Sequence, residues 1–487
     1  MRINRCATSV ALAASAMYGM GASFVITDAY TSQHSGSGEV KYTPYVGEDY
    51  RLTVEFDQTG TASAPYTVHF DIAGQTQDVS ETNLSAGHKT VTAEIWVPLD
   101  DKVPFKITVD SAHGGPTKSG SFTPTPPNSA LEFYDPVKIT GYQSQTYNFN
   151  NISKYELEYM SGRPDSDGWQ KELSASCTFD SLSGEHKVLK HDIQGPYLFP
   201  VYFTDVKNMK SPAVTFRQDF TLQVSSQRVN PDKLRQVSWN DLKALDGINV
   251  FKHFKQPESV IQSNDPAITK FVKDTLGSNY KSKMTPYDAA RKMFMAVLKR
   301  CTYYYPKPGE TDKRPATAVD MLKKGFGDCG GFSILLVACY RNLGIPSRTA
   351  CGAWVGDDAG HCWCEMWFPS AGWIVSDGSA GNYWSENGSY AYYFGFVPDL
   401  NARFALMRGN TFKVSDASAS WLQGPMWPPI VKGGATLGAS LGYTHAEVVT
   451  DTPAPKKYKE HLQKAIGFHP KWNMLDMLRP EVHVIKP

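Results

Sequence analysis

The hydrophobic period changes once along this chain, near Arg228, and that change constrains the fold more than any other feature. Before it, apolar and polar residues alternate. Leu52, Val54 and Phe56 are set against Arg51, Thr53 and Glu55; Val91, Ala93, Ile95 and Val97 repeat the pattern, as do Phe105, Ile107 and Val109. A period of two is that of half-buried strands, and Gly, Asp, Ser and Pro clusters cut the run into short ones, as in a β-sandwich. Pro124-Thr125-Pro126-Pro127-Asn128 reads as a stiff linker, after which Leu131-Glu132-Phe133-Tyr134 opens a second strand set that ends on Phe216, Phe220, Leu222 and Val224. The reading is two Ig-like all-β sandwiches in tandem, 30–125 and 128–228. Neither carries a catalytic constellation, which suits spacer or adhesive modules.

Beyond Arg228 the period becomes 3.6. Asp265-Pro266 caps a helix with the face Ile268, Phe271, Val272 and Leu276. Thr285-Pro286-Tyr287-Asp288 is a stronger start, with a capping Thr, Pro at the first helical position and an acid three residues after the cap. Thr317-Ala318-Val319-Asp320 begins a shorter helix that stops at Gly325. An α+β domain is expected over 229–450, and a basic tail, with Lys456, Lys457, Lys459 and Lys464, over 451–487. Three domains agree with a chain of 487 residues at roughly 100–200 residues per domain.

Charge and the amino terminus bound the setting. Lys+Arg number 49 and Asp+Glu 48, a balance that argues against a nucleic-acid partner, whose binding needs clustered unpaired cations. Residues 1–22 read as a secretory signal, with Arg2 and Arg5 ahead of the apolar Val10-Ala11-Leu12-Ala13-Ala14 and cleavage near Ala22 or Ser23. No later segment approaches the ~18 apolar residues of a membrane span. A secreted or periplasmic protein without stable membrane insertion is expected, in an oxidising compartment.

The chemistry is concentrated further on. In Gly327-Asp328-Cys329-Gly330-Gly331-Phe332-Ser333 a Gly-rich turn enters a helix, which puts Cys329 in the first turn. There the helix dipole favours thiolate over thiol, and the first-turn amides are donors for an oxyanion. Gly330 and Gly331 are small enough for close approach of a substrate backbone. A thiolate that attacks an amide needs a proton carrier for the leaving amine. Downstream, Gly360-His361-Cys362-Trp363-Cys364-Glu365 reads as a strand, Pro369-Ser370-Ala371-Gly372 as a turn, and Trp373-Ile374-Val375-Ser376-Asp377 as the return strand. For His361 and Asp377 to share a face the hairpin loop must hold an odd number of residues or contain a bulge; three residues ending at a left-handed Gly372 satisfy this but leave the pair out of register, so a further irregularity is implied.

Together Gly327-Asp328-Cys329, Ala338-Cys339-Tyr340-Arg341, Gly344-Ile345-Pro346-Ser347-Arg348, His361-x-Trp363-x-Glu365 and Gly372-Trp373 leading to Asp377 resemble the transglutaminase-like superfamily, which includes transglutaminases, peptide N-glycanases and bacterial cysteine hydrolases. The resemblance spans roughly Pro286 to Asp377. It implies a papain-like α+β core in which Cys329 is the nucleophile, His361 the base and then acid, and Asp377 the group that orients the imidazole. It makes Trp363 and Glu365 supports of the site. The departure from the family is Cys362 and Cys364 flanking Trp363.

Other residues have plainer alternatives. In Tyr303-Tyr304-Tyr305 one hydroxyl, represented by Tyr304, is a candidate oxyanion donor, although packing is the commoner role. Tyr390, Tyr392, Tyr393 and Phe394 suit a cleft wall, a sugar surface or strands over the core. Without the signal, Cys177, Cys301, Cys329, Cys339, Cys351, Cys362 and Cys364 remain, an odd set that accommodates one free nucleophile; a bridge from Cys351 to Cys362 or Cys364 is conceivable. Strand alternation turns Cys362 and Cys364 away from His361, so a His-Cys-Cys metal site is not expected, and Asp357-Asp358 and Asp377-Gly378-Ser379 lack the spaced oxygens of a calcium site. No cofactor is expected. The chain reads as an exported cysteine enzyme acting on amide bonds of proteins, peptides or glycopeptides through a Cys329 thioester, by hydrolysis or transamidation. The rival is a catalytically inactive adhesive or structural surface protein that keeps the fold.

Overall fold

The computed structural model describes residues 22–449 except 36–37, 42, 45–49, 61–64, 73–74, 82–84, 96–101, 113, 182–184, 193–199, 308, 356–359, 385–392, 398, 415–416 and 421–429. The expected signal (but for Ala22), the basic tail, Asp357-Asp358, Tyr390 and Tyr392 lie outside the described residues. The chain forms two compact units, the first within 1–122 and the second mainly from Thr123 onward.

Among the described residues the first unit holds eight strands: β1 (Ser23–Ser35), β2 (Gly38–Lys41), β3 (Tyr50–Thr59), β4 (Tyr66–Ile72), β5 (Gln75–Glu81), β6 (Gly87–Ile95), β7 (Val103–Ser111) and β8 (Thr117–Phe122). They make two antiparallel sheets, in the orders β2-β1-β3-β6 and β5-β4-β7-β8. Period-two alternation turns Leu52, Val54 and Phe56 of one sheet and Val68, Phe70 and Ile72 of the other into a shared core. Phe56 and Phe24 meet Tyr66 across it with ring centroids 5.1 and 5.8 Å apart. Burial of Phe24 explains why the module starts at Ser23, ahead of the expected residue 30.

The second unit opens on another pair of sheets. Its strands are β9 (Leu131–Asn150), β10 (Tyr155–Gly162), β11 (Gln170–Ser181), β12 (Glu185–Asp192), β13 (Pro200–Met209) and β14 (Ala213–Val229). Tyr147, Phe149, Tyr155, Tyr159 and Phe216 fill the space between the sheets. From β14 the chain enters three short helices, α1 (Pro231–Leu234), α2 (Trp239–Ala244) and α3 (Asn249–His253), then α4 (Pro266–Leu276) and α5 (Pro286–Arg300). A two-residue strand β15 (Thr302–Tyr303), α6 (Ala318–Lys324), β16 (Phe326–Gly327) and α7 (Cys329–Leu343) follow. Asp265, Thr285 and Thr317 cap α4, α5 and α6 through their side chains, as their sequence signatures require. The long α7 packs on an antiparallel sheet built from β17 (Ser347–Trp354), β18 (Gly360–Phe368), β19 (Gly372–Ser376) and, after α8 (Gly378–Trp384), β20 (Arg403–Arg408), in the order β19-β18-β17-β20.

The chain then makes the hairpin β21 (Thr411–Val414) and β22 (Ala417–Ser420) and returns as β23 (Ile430–Gly433) and β24 (Thr436–Val448). These last two strands fall inside the 229–450 range expected of the helical domain, yet they pair with β10 and β9 and complete the second sandwich's sheets, β12-β13-β10-β23 and β11-β14-β9-β24. The twenty-residue β9 would otherwise leave a long open edge, which β24 covers from Thr436↔Asn150 to Val448↔Ile139.

Candidate active site

Asp328 sets the position of Cys329. It is the N-cap of α7: its Oδ1 accepts from the Gly331 amide at 3.0 Å, while Arg314 Nη1 donates to its Oδ2 at 3.0 Å. The Ser333 hydroxyl donates to the Cys329 carbonyl at 2.7 Å, which fixes the first turn from within. The thiol-bearing residue is half-buried. Gly331 is small for packing rather than for substrate, since a Cβ there would lie 3.1 Å from the Met321 sulfur and 3.3 Å from Pro315. Gly330 is buried beside it in the same turn.

His361 stands near the start of β18, opposite Gly352 of β17. The register between β17 and β20 shifts between Cys351 and Gly352. A Cβ at Gly352 would fall 1.7 Å from the Phe404 carbonyl, so only glycine admits β20 this close behind the histidine. The β18–β19 ladder closes at Phe368↔Gly372 with three residues between and Gly372 at φ +89°, as the loop arithmetic requires. The ladder's last pair is Cys364↔Ser376. Asp377 lies one residue beyond it, where the strand gives way to α8, and this is the irregularity that the odd spacing implied. Its Oδ1 accepts from the Ala380 amide at 3.0 Å and the Ser379 hydroxyl at 2.9 Å. The other oxygen, Oδ2, pairs with His361 Nε2 at 2.7 Å and also accepts from Arg403 Nη1. Arg403, fully buried on β20, donates to Asp399 as well (2.9 Å) and lies 4.1 Å from the Trp354 ring, whose other contact is a stack on His361 at 5.1 Å.

The imidazole in turn faces the Cys329 sulfur, and each group favours the charged form of the other. With Nε2 committed to Asp377, Nδ1 is the nitrogen left to face the thiol. The electrostatics follow from these contacts. The Cys329 thiol is held down to about 6, foremost by a hydrogen bond from the Cys362 thiol and then, against burial, by His361. Burial disfavours the imidazolium, but the Asp377 carboxylate and the Cys329 sulfur outweigh it and hold His361 up to about 9. For Asp377 the penalty of burial is overcome by His361 and Arg403, which keep it well below the usual carboxylate range. These shifts favour a thiolate on Cys329 beside an imidazolium on His361, backed by the Asp377 carboxylate and the Arg403 guanidinium.

Residues 274–378, which contain Cys329, His361 and Asp377, match the family model of the transglutaminase-like superfamily. This segment belongs to that superfamily. No curated protein matches the chain. Among solved structures, it is similar to a "putative cysteine protease" from Cytophaga hutchinsonii, at 15% identity and TM-score 0.44 over 66% of this chain and 93% of that one. It is also similar to a "putative protease" from Parabacteroides distasonis, at 10% identity and TM-score 0.20 over 67% of this chain and 63% of that one.

Around this transglutaminase-like core the remaining candidates divide. Trp363 is fully buried with its ring 5.8 Å from His361, between His361 and Trp169 of the second sandwich. Glu365 does not reach the histidine's partners; it accepts from Arg348 Nε at 2.7 Å, Arg408 Nε at 3.1 Å and Trp169 Nε1 at 3.3 Å, a buried junction between sandwich and core. Tyr304 packs its ring on Phe326 at 5.1 Å. Parallel pairing of β15 with β16 puts its neighbour Tyr303 nearer the thiol instead: burial first, then the charges of Cys329 and Asp328, push that phenol well above its ordinary range. Three adjacent tyrosines offer no local signal for which one faces the site. Tyr393 and Phe394 are buried, with Tyr393 donating to Asp399 Oδ2 at 3.0 Å.

Sequence reasoning missed Arg403, Trp354 and the reach of Cys362. Arg403 lies 26 residues beyond Asp377, and only the β17–β20 pairing brings it back. Alternation does set Cys362 on the face of β18 away from His361, but that is the face on which α7 packs, so its thiol meets Cys329. Cys351 is its cross-strand partner, with the two sulfurs 2.9 Å apart. The seven cysteines from Cys177 onward are all free thiols.

Proposed function

We propose that this protein is a cysteine enzyme that cleaves amide bonds of proteins, peptides or glycopeptides through a thioester on Cys329. The thiolate attacks the carbonyl carbon, and first-turn amides of α7 together with the Tyr303 hydroxyl receive the oxyanion. The imidazolium of His361 then protonates the leaving amine. As a neutral base it next activates water, which resolves the thioester. Asp377 holds the ring by Nε2 so that Nδ1 stays on the sulfur, and Arg403 holds Asp377. The observation that supports this reading most is the continuous buried chain of contacts from Cys329 through His361 and Asp377 to Arg403. Retention of every member counts against an adhesive that has lost its chemistry. Export is part of the proposal and rests on the basic and apolar first 22 residues.

The test compares the protein with Cys329→Ala for release of new amino termini or glycans from protein and glycopeptide substrates, with incorporation of a labelled amine as the alternative fate of the thioester. Release in the wild type alone supports the proposal. Amine incorporation without release assigns transamidation, and neither activity in the wild type sinks the enzymatic reading.

A further inference from the structure

Three sulfurs meet at the site, and the amide chemistry uses only one of them. Cys362 adjoins Cys329 on one side, where it is the foremost influence on that thiol, and stands 2.9 Å from Cys351 on the other. Directly opposed residues of an antiparallel pair have Cα atoms about 4.5–5.5 Å apart, inside the range a disulfide spans. The other cysteines of the core are set apart. Cys364 donates its thiol to the Ser376 carbonyl at 3.0 Å, away from this cluster.

We propose that Cys362 and Cys351 are a dithiol that takes oxidation off the nucleophile, with Cys362 resolving an oxidised Cys329 and Cys351 completing the exchange. The oxidant is a peroxide. The Cys329 thiolate attacks one peroxide oxygen, the O–O bond breaks, and a sulfenic acid forms while hydroxide takes the His361 proton and leaves as water. The Cys362 sulfur then attacks the Cys329 sulfur: an S–S bond forms, the S–O bond breaks, and the Cys362 proton leaves with the hydroxyl as a second water. Cys351 next attacks Cys362; the Cys329–Cys362 bond breaks, a Cys351–Cys362 disulfide forms, and the Cys351 proton passes to the released Cys329. The net change is oxidation of two thiols by two electrons, reduction of one peroxide to two waters, and a nucleophile returned intact.

The proposal rests on the thiolate character of Cys329 used above, and it is tested by mass rather than by activity. Full-length protein is reduced, freed of reductant, exposed to hydrogen peroxide and mapped by peptide mass spectrometry. The expected product is a Cys351–Cys362 disulfide with Cys329 still open to iodoacetamide. In Cys351→Ser the Cys329–Cys362 disulfide accumulates. In Cys362→Ser, and in Cys362→Ala as the variant without a buried hydroxyl, Cys329 proceeds to sulfinic acid. Cys329→Ser slows formation of the Cys351–Cys362 bond by about tenfold or more, since the low-pKa entry thiol is gone. Conversion of wild-type Cys329 to sulfinic acid while Cys351 and Cys362 stay reduced overturns the proposal. So does disulfide formation at an undiminished rate in Cys329→Ser. Wild-type Cys329 that takes iodoacetamide but yields no disulfide defeats the relay alone, whereas a Cys329 inert to iodoacetamide defeats the proposed function with it.

Discussion

At the scale of residues, the site is an alternation of charges taken out of water, and each member is tolerable only because of the next. The Asp377 carboxylate is fully buried, and it is compensated by His361, Arg403, the Ser379 hydroxyl and the Ala380 amide. Arg403 is equally buried and is balanced by Asp377 and Asp399. Such a network contributes little net stability when intact, but removing one partner strands the others. Arg403→Met should therefore cost about 3–5 kcal/mol in denaturant unfolding, because two carboxylates lose their buried cation. A loss below about 1 kcal/mol, the range of a surface pair, would mean that Asp377 is held by the α8 turn alone.

At the scale of elements, what was legible in the sequence was whatever a local pattern encodes. The caps of α4, α5 and α6, the first-turn position of Cys329 and the three-residue loop before Gly372 all depend on residues a few positions apart. Trp363 and His361, two apart on one strand, were placed together correctly for the same reason. What escaped depends on pairing between distant segments. The β15–β16 pair sets Tyr303 opposite Gly327, and the β17–β20 pair carries Arg403 to Asp377. The β17–β18 register sets Cys351 opposite Cys362; alternation correctly gave the face of Cys362 but not that α7 would cover it. The close β17–β20 approach also gives Gly352 its reason, which is invisible in a run reading Thr349-Ala350-Cys351-Gly352-Ala353.

At the scale of the whole molecule, the second sandwich and the transglutaminase-like core form one compact unit, so the sandwich is more than a spacer ahead of the core. Its Gln170 bonds both the amide (2.7 Å) and the carbonyl (2.9 Å) of Ala405 on β20, two residues from Arg403. Gln227 of β14 accepts from the Val375 amide at 3.3 Å, two residues before Asp377. Glu365 joins Trp169 of the sandwich to Arg348 and Arg408 of the core. Glu365→Ala should cost about 3–5 kcal/mol by stranding two buried guanidiniums, and sandwich and core should still unfold in one transition by calorimetry. Separate transitions assigned by hydrogen exchange to the second sandwich and to the core would contradict this union; a separate transition of the first unit would not. The contacts of Cys329, His361, Asp377 and Arg403 favour a thiolate beside an imidazolium, and that pairing has a direct measurement. The rate at which iodoacetamide alkylates Cys329, followed by mass spectrometry across about pH 4–9, should rise with an apparent pKa near 6 in the wild type and move towards the ordinary thiol value in His361→Ala. A wild-type profile that rises only near pH 9, unchanged by loss of His361, would contradict the account.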